Sequence, residues 1–307
     1  MTTIEQVSYG GWDNCYRLSN GIVDLIITTE VGPRIIRYGF INEANEFAEF
    51  EEQVGRTGDT EWNIYGGHRF WHAPESQPRT YQPDNAPIII EEHDGFIRTI
   101  QPTETTTGIQ KMMDISLDAD SSRVRVVHRL KNHNLWAIDL APWALSVMDT
   151  GGKSIIPLPP KQSHDAVLTP ANTLTLWAYT VMSDPRWTWG NRYITLQQDP
   201  TATTPQKVGA RVPDQWIAYA NRNRLFVTTF AVDNDAIYPD YTSHVETFTN
   251  DRMLEMETLG AMVSLSPQAT IEHTVNWYLF DNVPTPEIEA DIDEHVLPKV
   301  KSVLSTL

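Results

Sequence analysis

Apolar and polar residues alternate over many short stretches of this chain, which is the pattern of β-strands that bury one face. The clearest example surrounds Asn20-Gly21, which joins Tyr16–Ser19 to Ile22–Thr28. Asn-Gly between two β-rich runs predicts a hairpin, because both turn residues must tolerate positive φ. Further strands are predicted at Arg123–Leu130, Leu225–Val232, Thr270–Leu279 and, from shorter or less regular patterns, at Ile88–Ile90 and Ile109–Leu117.

Helical patterns are scarce and are concentrated near the C-terminal end. Pro286–Leu307 begins with acidic residues and carries Lys299 and Lys301 near its end, which suits the dipole of a helix. Pro298 interrupts the stretch, so we expect one short helix or two pieces. The C-terminal end is therefore the main helical element that the pattern predicts.

Many short strands with turn signals between them predict an all-β fold, either a sandwich or a barrel. No repeat, low-complexity segment or long linker divides the chain, so we expect residues 1–307 to form one domain. The stretches Tyr81–Pro87 and Ala202–Pro213 are predicted to be loops within it.

The net charge of −17 narrows the class of partner. An acidic surface repels phosphate backbones and anionic membranes, so we expect no nucleic acid and no membrane partner, although the charge is also explained by solubility alone. The single cysteine, Cys15, permits no intrachain disulfide, and Met1–Gln6 lacks the pattern of a signal peptide. We therefore expect a cytoplasmic protein with a small neutral ligand.

The stretch from Trp62 to Glu75 is the densest in polar and aromatic residues. It is predicted to be a loop, because Gly66-Gly67 permits unusual backbone shapes and neither helix nor strand periodicity fits it. Loops rich in His, Arg and Trp often carry binding sites, although a buried structural loop is the alternative. His68 and His72 have the spacing of metal ligands on a helix, but no helix is expected here, so we predict proton transfer or hydrogen bonding instead.

A pair of carboxylates lies in the predicted strand Met253–Gly260. Glu255 and Glu257 share one face of such a strand, so each perturbs the pKa of the other and one is expected to serve as acid or base. The alternative is an edge strand with a solvated acidic face. Asp240, shortly upstream, is either a turn residue or an acceptor for a ligand hydroxyl. No metal and no cofactor are expected.

The chain contains ten Trp, whose flat apolar faces and polar edges suit sugar rings. Its ordered motifs resemble a bacterial group within the galactose mutarotase-like superfamily, over roughly residues 10 to 280. The segments that carry the resemblance are Asn20-Gly21, Val31–Ile35, Asn45–Phe47, Gly66–Glu75, Pro142–Leu145, Tyr238–Asp240 and Leu254–Gly260.

The resemblance implies a large antiparallel β-sandwich, the supersandwich of that superfamily, with a sugar site and few short helices. In aldose 1-epimerases of this type a Glu takes the anomeric proton and a His protonates the ring oxygen. By likeness, Glu255 is the catalytic base, Glu257 is the next candidate for that role, and His68 with Arg69 lines the ligand. The remaining candidates for ligand binding are Arg34, Trp71, Glu75, Trp143 and Asp240.

One departure from the family pattern affects the expected chemistry. Trp143 stands where the acid His is expected, and an indole N–H cannot deliver a proton as imidazolium does. Either His68 or His72 replaces that acid, or the protein does not mutarotate sugars. Three functions remain open: an aldose 1-epimerase-like isomerase, a carbohydrate-binding protein without turnover, and a hydrolase or lyase that uses the carboxylates.

Overall fold

The computed structural model describes residues 2–304, which form 21 strands and little helix. Strands β1 to β11, in chain order, are Thr3–Tyr9, Trp12–Ser19, Val23–Thr28, Arg34–Phe40, Gly67–Ala73, Ile89–His93, Phe96–Ile100, Ile109–Leu117, Val124–Asn132, Ile138–Met148 and Lys153–Pro157. Strands β12 to β21 are Leu174–Leu176, Trp187–Trp189, Tyr193–Gln197, Gln206–Ala210, Trp216–Asn221, Arg224–Phe230, Val245–Thr249, Leu254–Leu259, Val263–Leu265 and Thr270–Asp281.

The strands form two antiparallel sheets. The first sheet has the order β1-β2-β3-β4-β5-β10-β19-β18-β15-β12, with β20 paired to β10. The second has the order β13-β14-β11-β16-β17-β21-β9-β8-β7-β6. The all-β sandwich predicted from the sequence is confirmed, and so is the hairpin at Asn20-Gly21, because β2 and β3 pair directly across it.

One hydrophobic core fills the space between the two sheets. Phe70 and Met256 of the first sheet belong to it, as do Val126, Phe226 and Trp277 of the second. Burial of this apolar surface is the main favourable contribution to folding. Because side chains alternate along a strand, the odd-numbered neighbours of Phe70 point to the opposite face of the first sheet, away from the core.

The helical stretch at the C-terminal end covers the outer face of the second sheet. It consists of the helix Glu289–Asp291, the π-helical turn Ile292–Val296 and the helix Leu297–Leu304, and its side chain Val300 packs with Trp216 in a second apolar cluster. The predicted helix is confirmed as far as residue 304, and its last three residues lie outside the described part. The π-turn ends two residues before Pro298, which has no backbone N–H to continue an α-helix.

Two stretches predicted as loops contain strands instead. The stretch Trp62 to Glu75 contains β5, and the stretch Ala202–Pro213 contains β15. Both strands lie inside the first sheet with neighbours on either side, and every residue of both is buried. Strands buried on both faces show no alternation of polar and apolar residues, which is why the pattern did not reveal them. Within residues 2–304, no helix has the length and apolar character needed to cross a membrane.

Candidate functional site

A cleft lies on the face of the first sheet that is turned away from the core, and we call it the main cleft. Its volume is about 410 Å³, within the usual range for small-molecule sites. β5, β10, β15, β18 and β19 contribute its floor, and the loops beside them contribute its walls. The lining residues are Trp62, Ile64, Arg69, Trp71, Glu75, Tyr81, Trp143, Leu145, Trp177, Tyr179, Pro205, Lys207, Phe248, Met253 and Glu255.

A buried ion pair forms part of the floor of the main cleft. Arg69 on β5 donates from Nη2 to Glu255 Oε1 at 2.9 Å and from Nη1 to the same oxygen at 3.2 Å. The guanidinium lies 4.1 Å from the ring centre of Trp71, which fixes its plane. Burial raises the pKa of Glu255, and this effect exceeds the lowering by Arg69, while neighbouring Glu257 raises the pKa further. Glu255 can therefore exchange a proton nearer to neutral pH than an ordinary carboxyl group.

A second buried cluster surrounds Lys207 on β15. Its ammonium lies 2.7 Å from Glu246 Oε2 and 3.0 Å from Glu257 Oε2, and Trp143 donates from Nε1 to the same oxygen of Glu257 at 2.8 Å. Although burial opposes it, the two carboxylates raise the pKa of Lys207 well above its usual value. Burial, supported by Glu257, raises the pKa of Glu246 well above its usual value. Lys207 therefore stays cationic and holds both carboxylates in place.

A side chamber, which we call the acidic lobe, continues from the main cleft. Its volume is about 360 Å³, and it shares Glu75, Tyr81, Trp143 and Trp177 with the main cleft. Its other lining residues are Ser76, Gln77, Asp240 and Glu246.

Asp240 lies in the helical turn Pro239–Thr242, where its φ of 48° and ψ of 55° are left-handed. Thr175 and Ser243 both donate hydroxyl hydrogen bonds to the Asp240 carbonyl, at 2.7 and 2.9 Å, and hold this turn at the edge of the lobe.

Most of the site residues predicted from the sequence are brought together. Arg69, Trp71, Trp143, Glu75 and Glu255 line the main cleft. Asp240 lines the acidic lobe. Glu257 lies directly behind the lining, where it binds Lys207 and Trp143. The strand β19 is central in its sheet and both of its Glu side chains are buried, so the alternative of a solvated acidic edge does not apply.

His68 is not brought to the cleft, which corrects the expectation that it faces the ligand. Its side chain points into the core between the sheets, because it alternates with Arg69 along β5. His68 Nε2 lies 2.7 Å from His128 Nε2, and His128 Nδ1 donates to the carbonyl of His273 at 3.0 Å. Neutral His128 therefore accepts at Nε2, His68 donates, and Ser146 donates its hydroxyl hydrogen to His68 Nδ1.

This histidine chain predicts a loss of stability in mild acid. Burial lowers the pKa of His128 to about 3 and that of His273 to about 4. Below about pH 6.5 the unfolded chain therefore binds protons that the folded chain does not, so the free energy of unfolding falls by about 1.4 kcal/mol per pH unit for each histidine. The decline continues toward the two folded pKa values.

Urea denaturation at a series of pH values measures this effect. We expect the slope of stability against pH between about pH 6.5 and pH 4 to be smaller in His128→Gln than in the unmodified chain. His164→Gln removes an exposed histidine and serves as the control. Equal slopes in the unmodified chain and His128→Gln would contradict the prediction.

His72 and Arg34 also lie outside the cleft, so the expectation that they meet the ligand is corrected for both. His72 lies on the core side of β5, 3.9 Å from Glu104, whose pKa is lowered to about 2 because Lys111 and other partners outweigh its burial. Arg34 is fully buried and donates to the carbonyls of Ile64 and Gly66 at 2.8 and 2.7 Å. Its role in the structure is to hold the chain that leads into β5.

Several lining residues were not predicted. Lys207 lies in a stretch taken for a loop, and its burial depends on Glu246 and Glu257, which are distant in sequence. Glu246 had a usable signal, because Val245–Thr249 is rich in Val, Thr and Phe, which favour a strand. Trp62, Tyr81, Trp177 and Tyr179 lie in the connecting loops, where only the fold decides which side chains face the cleft. Among residues 2–304, no three His, Cys, Asp or Glu side chains form an arrangement that could hold a metal ion.

No protein-family model and no curated protein sequence matches the chain. Solved structures do match it. A galactose mutarotase-like protein from Lactobacillus casei superposes with a TM-score of 0.58 at 10% identity, over 87% of this chain and 100% of that one. A galactose mutarotase related enzyme from Lactobacillus acidophilus gives 0.55 at 10% identity, over 89% and 100%.

The Slr1438 protein from Synechocystis sp. PCC 6803 gives a TM-score of 0.58 at 10% identity, over 92% of this chain and 100% of that one. Sequence identities this low support a shared fold but do not assign a chemical function, which has to be argued from the site itself. The chain has the galactose mutarotase-like fold.

Proposed function

We propose that the main cleft binds a sugar and that Glu255 catalyses proton transfer at its anomeric hydroxyl, as in an aldose 1-epimerase. The observation that supports this most strongly is the buried Arg69–Glu255 pair on the floor of a cleft walled by Trp62, Trp71 and Trp177. Indole faces suit the C–H faces of a sugar ring, and charged groups suit its hydroxyl groups.

The charges in the cleft also restrict the ligand. Arg69 is neutralised by Glu255, and Lys207 is shared by Glu246 and Glu257. No cation is left free among the described lining residues to balance a phosphate or carboxylate on a ligand. This supports a sugar without negative charge, in agreement with the acidic net charge of the whole chain.

The proposed reaction needs a base and a route for a second proton. The Glu255 carboxylate takes the proton of the anomeric hydroxyl, and the bond from C1 to the ring oxygen breaks with its electron pair on that oxygen. The cleft is open, so water delivers the proton to the ring oxygen in place of the family histidine. Rotation of the aldehyde and the reverse steps complete the isomerisation.

The absence of histidine from the described lining of the cleft favours a second candidate function, which is carbohydrate binding without turnover. Saturation-transfer NMR on a panel of neutral aldoses distinguishes the two. Faster anomeric exchange supports the isomerase. Saturable binding in calorimetry with unchanged exchange supports the second candidate. If no sugar binds, whether a neutral aldose or a derivative of one, both candidates are wrong.

Trp177 tests the carbohydrate-binding part of the proposal. We expect Trp177→Ala to weaken sugar binding about tenfold, because it removes an indole face shared by the main cleft and the acidic lobe. Trp136→Ala is the matched control, since Trp136 is 63% exposed and does not line the cleft. Equal affinities of the two variants in calorimetry would show that the sugar does not bind here.

A further inference from the structure

The acidic lobe carries negative charge that the structure does not balance. Glu75, Asp240 and Glu246 line it, and no Lys or Arg belongs to its described lining. Lys207, which lines the main cleft, contacts Glu246, but this ammonium also contacts Glu257. Glu75 receives a hydrogen bond from the hydroxyl of Tyr81, which leaves its charge in place. Glu75 and Asp240 thus give the lobe negative charge that no described Lys or Arg of its lining balances, whatever the protonation state of Glu246.

The burial of Glu246 is a second, independent observation that indicates a ligand group in the acidic lobe. Glu246 is fully buried, with an exposure of 0%, and yet its carboxylate lines the lobe. Neither of its oxygens accepts a hydrogen bond from a described residue; Oε2 lies 2.7 Å from Lys207 Nζ as an ion pair, whereas Oε1 has no such contact. A buried acceptor without a donor is costly, so the missing donor is expected to come from the lobe side.

The aromatic lining is suited to an ammonium group. Lys207 Nζ lies 4.9 Å from the ring centre of Trp143 and 4.7 Å from that of Trp177, within the range of cation–π contact. Both indoles also line the acidic lobe. Carboxylates combined with indole and phenol rings are the groups that recognise organic ammonium ions.

We propose that the acidic lobe binds a protonated amine of the ligand, so that the sugar bound by this chain is an amino sugar. The sugar ring lies in the main cleft and its ammonium group lies in the lobe, because the two spaces share Trp143 and Trp177. The ammonium donates to the free oxygen of Glu246 and is balanced by Asp240 and Glu75. This inference rests on the proposed function and specifies its substrate class.

Calorimetry with matched sugars tests the inference. The probes are the 2-amino, 3-amino and 6-amino derivatives of D-glucose and D-galactose, the two parent sugars, and N-acetyl-D-glucosamine. At a pH where the amines are protonated, we expect at least one amino sugar to bind about tenfold more tightly than its parent. N-acetylation removes the charge, so we expect the N-acetyl sugar to bind no better than D-glucose.

Variants identify the lobe as the cause of this preference. Asp240→Asn is expected to reduce several-fold the preference for the amino sugar, which is the ratio of its affinity to that of the parent sugar. Glu75→Gln, at an exposed position, is a second variant; because Glu75 also lines the main cleft, it is judged only by the ratio of the amino-sugar affinity to the parent-sugar affinity, which is expected to fall. Asp235→Asn is the matched control, because it removes the same charge from an exposed residue that lines neither the main cleft nor the acidic lobe.

The outcomes separate the two proposals. A parent sugar that binds as tightly as every amino derivative overturns the amine inference and leaves the proposed function intact. A preference that persists unchanged in both Asp240→Asn and Glu75→Gln also overturns it. If neither parent nor amino sugars bind, the proposed function fails, and the inference that rests on it fails too.

Discussion

Replacing Glu255 by Gln is expected to lower the rate of anomeric exchange by at least about a hundredfold while sugar affinity changes little. Gln has the same shape and can still accept from Arg69, but it cannot take a proton near neutral pH. Because burial raises the pKa of Glu255, the rate in the unmodified chain should fall as the pH is lowered through that raised value. In a plot of exchange rate against pH, we expect the fall on the acidic side to lie at a higher pH than the usual pKa range of glutamate.

Saturation-transfer NMR measures the rate, and calorimetry on the same samples measures affinity. Glu272→Gln is the matched control, because Glu272 is 55% exposed on the second sheet. An unchanged exchange rate in Glu255→Gln would remove this residue from the reaction. Equal losses of rate and affinity would assign it to binding alone.

The largest expected loss of stability follows from replacing Lys207 by Met. The change leaves Glu246 and Glu257 buried without their shared cation, and breaking a buried ion pair in this way costs about 3–5 kcal/mol. Burial already raises the pKa of Glu246, and the change removes the cation that opposes this rise, so the folded pKa of Glu246 lies still further above that of the unfolded chain. The loss should therefore be larger at alkaline pH than in mild acid.

Urea denaturation at several pH values measures this loss. Lys299→Met, at an exposed position on the C-terminal helix, should change stability by less than about 0.5 kcal/mol. Adding Glu246→Gln and Glu257→Gln to Lys207→Met should recover part of the loss and remove its pH dependence. A Lys207→Met variant as stable as the unmodified chain at all pH values would contradict the assigned role.

The sequence was sufficient for the fold class and for the regular strands. β8 is found at Ile109–Leu117, as predicted, and β9, β17 and β21 overlap the other predicted strands. These strands show apolar runs or alternation that local patterns reveal. β5 and β15 were missed, because both of their faces are buried and their polar residues are satisfied by strands far away in sequence.

The candidate site was only partly predictable for a related reason. Strand geometry alone places Glu255 and Glu257 on one face, and the structure has them there. The same rule would have separated His68 and His72 from Arg69 and Trp71 if β5 had been recognised as a strand. The pairing of Lys207 with two carboxylates from other strands has no local signature, because it exists only once the sheet has formed.

The alternation along β5 also has a consequence for how the protein can change over evolution or in the laboratory. Substitutions at position 71 change the cleft and leave the packing between the sheets in place, whereas a substitution at position 69 also leaves Glu255 buried without its cation. Substitutions at 68, 70 and 72 act on the interior and leave the recognition surface in place. Libraries that vary position 71 should therefore yield folded proteins with new preferences more often than libraries that vary positions 68, 70 or 72.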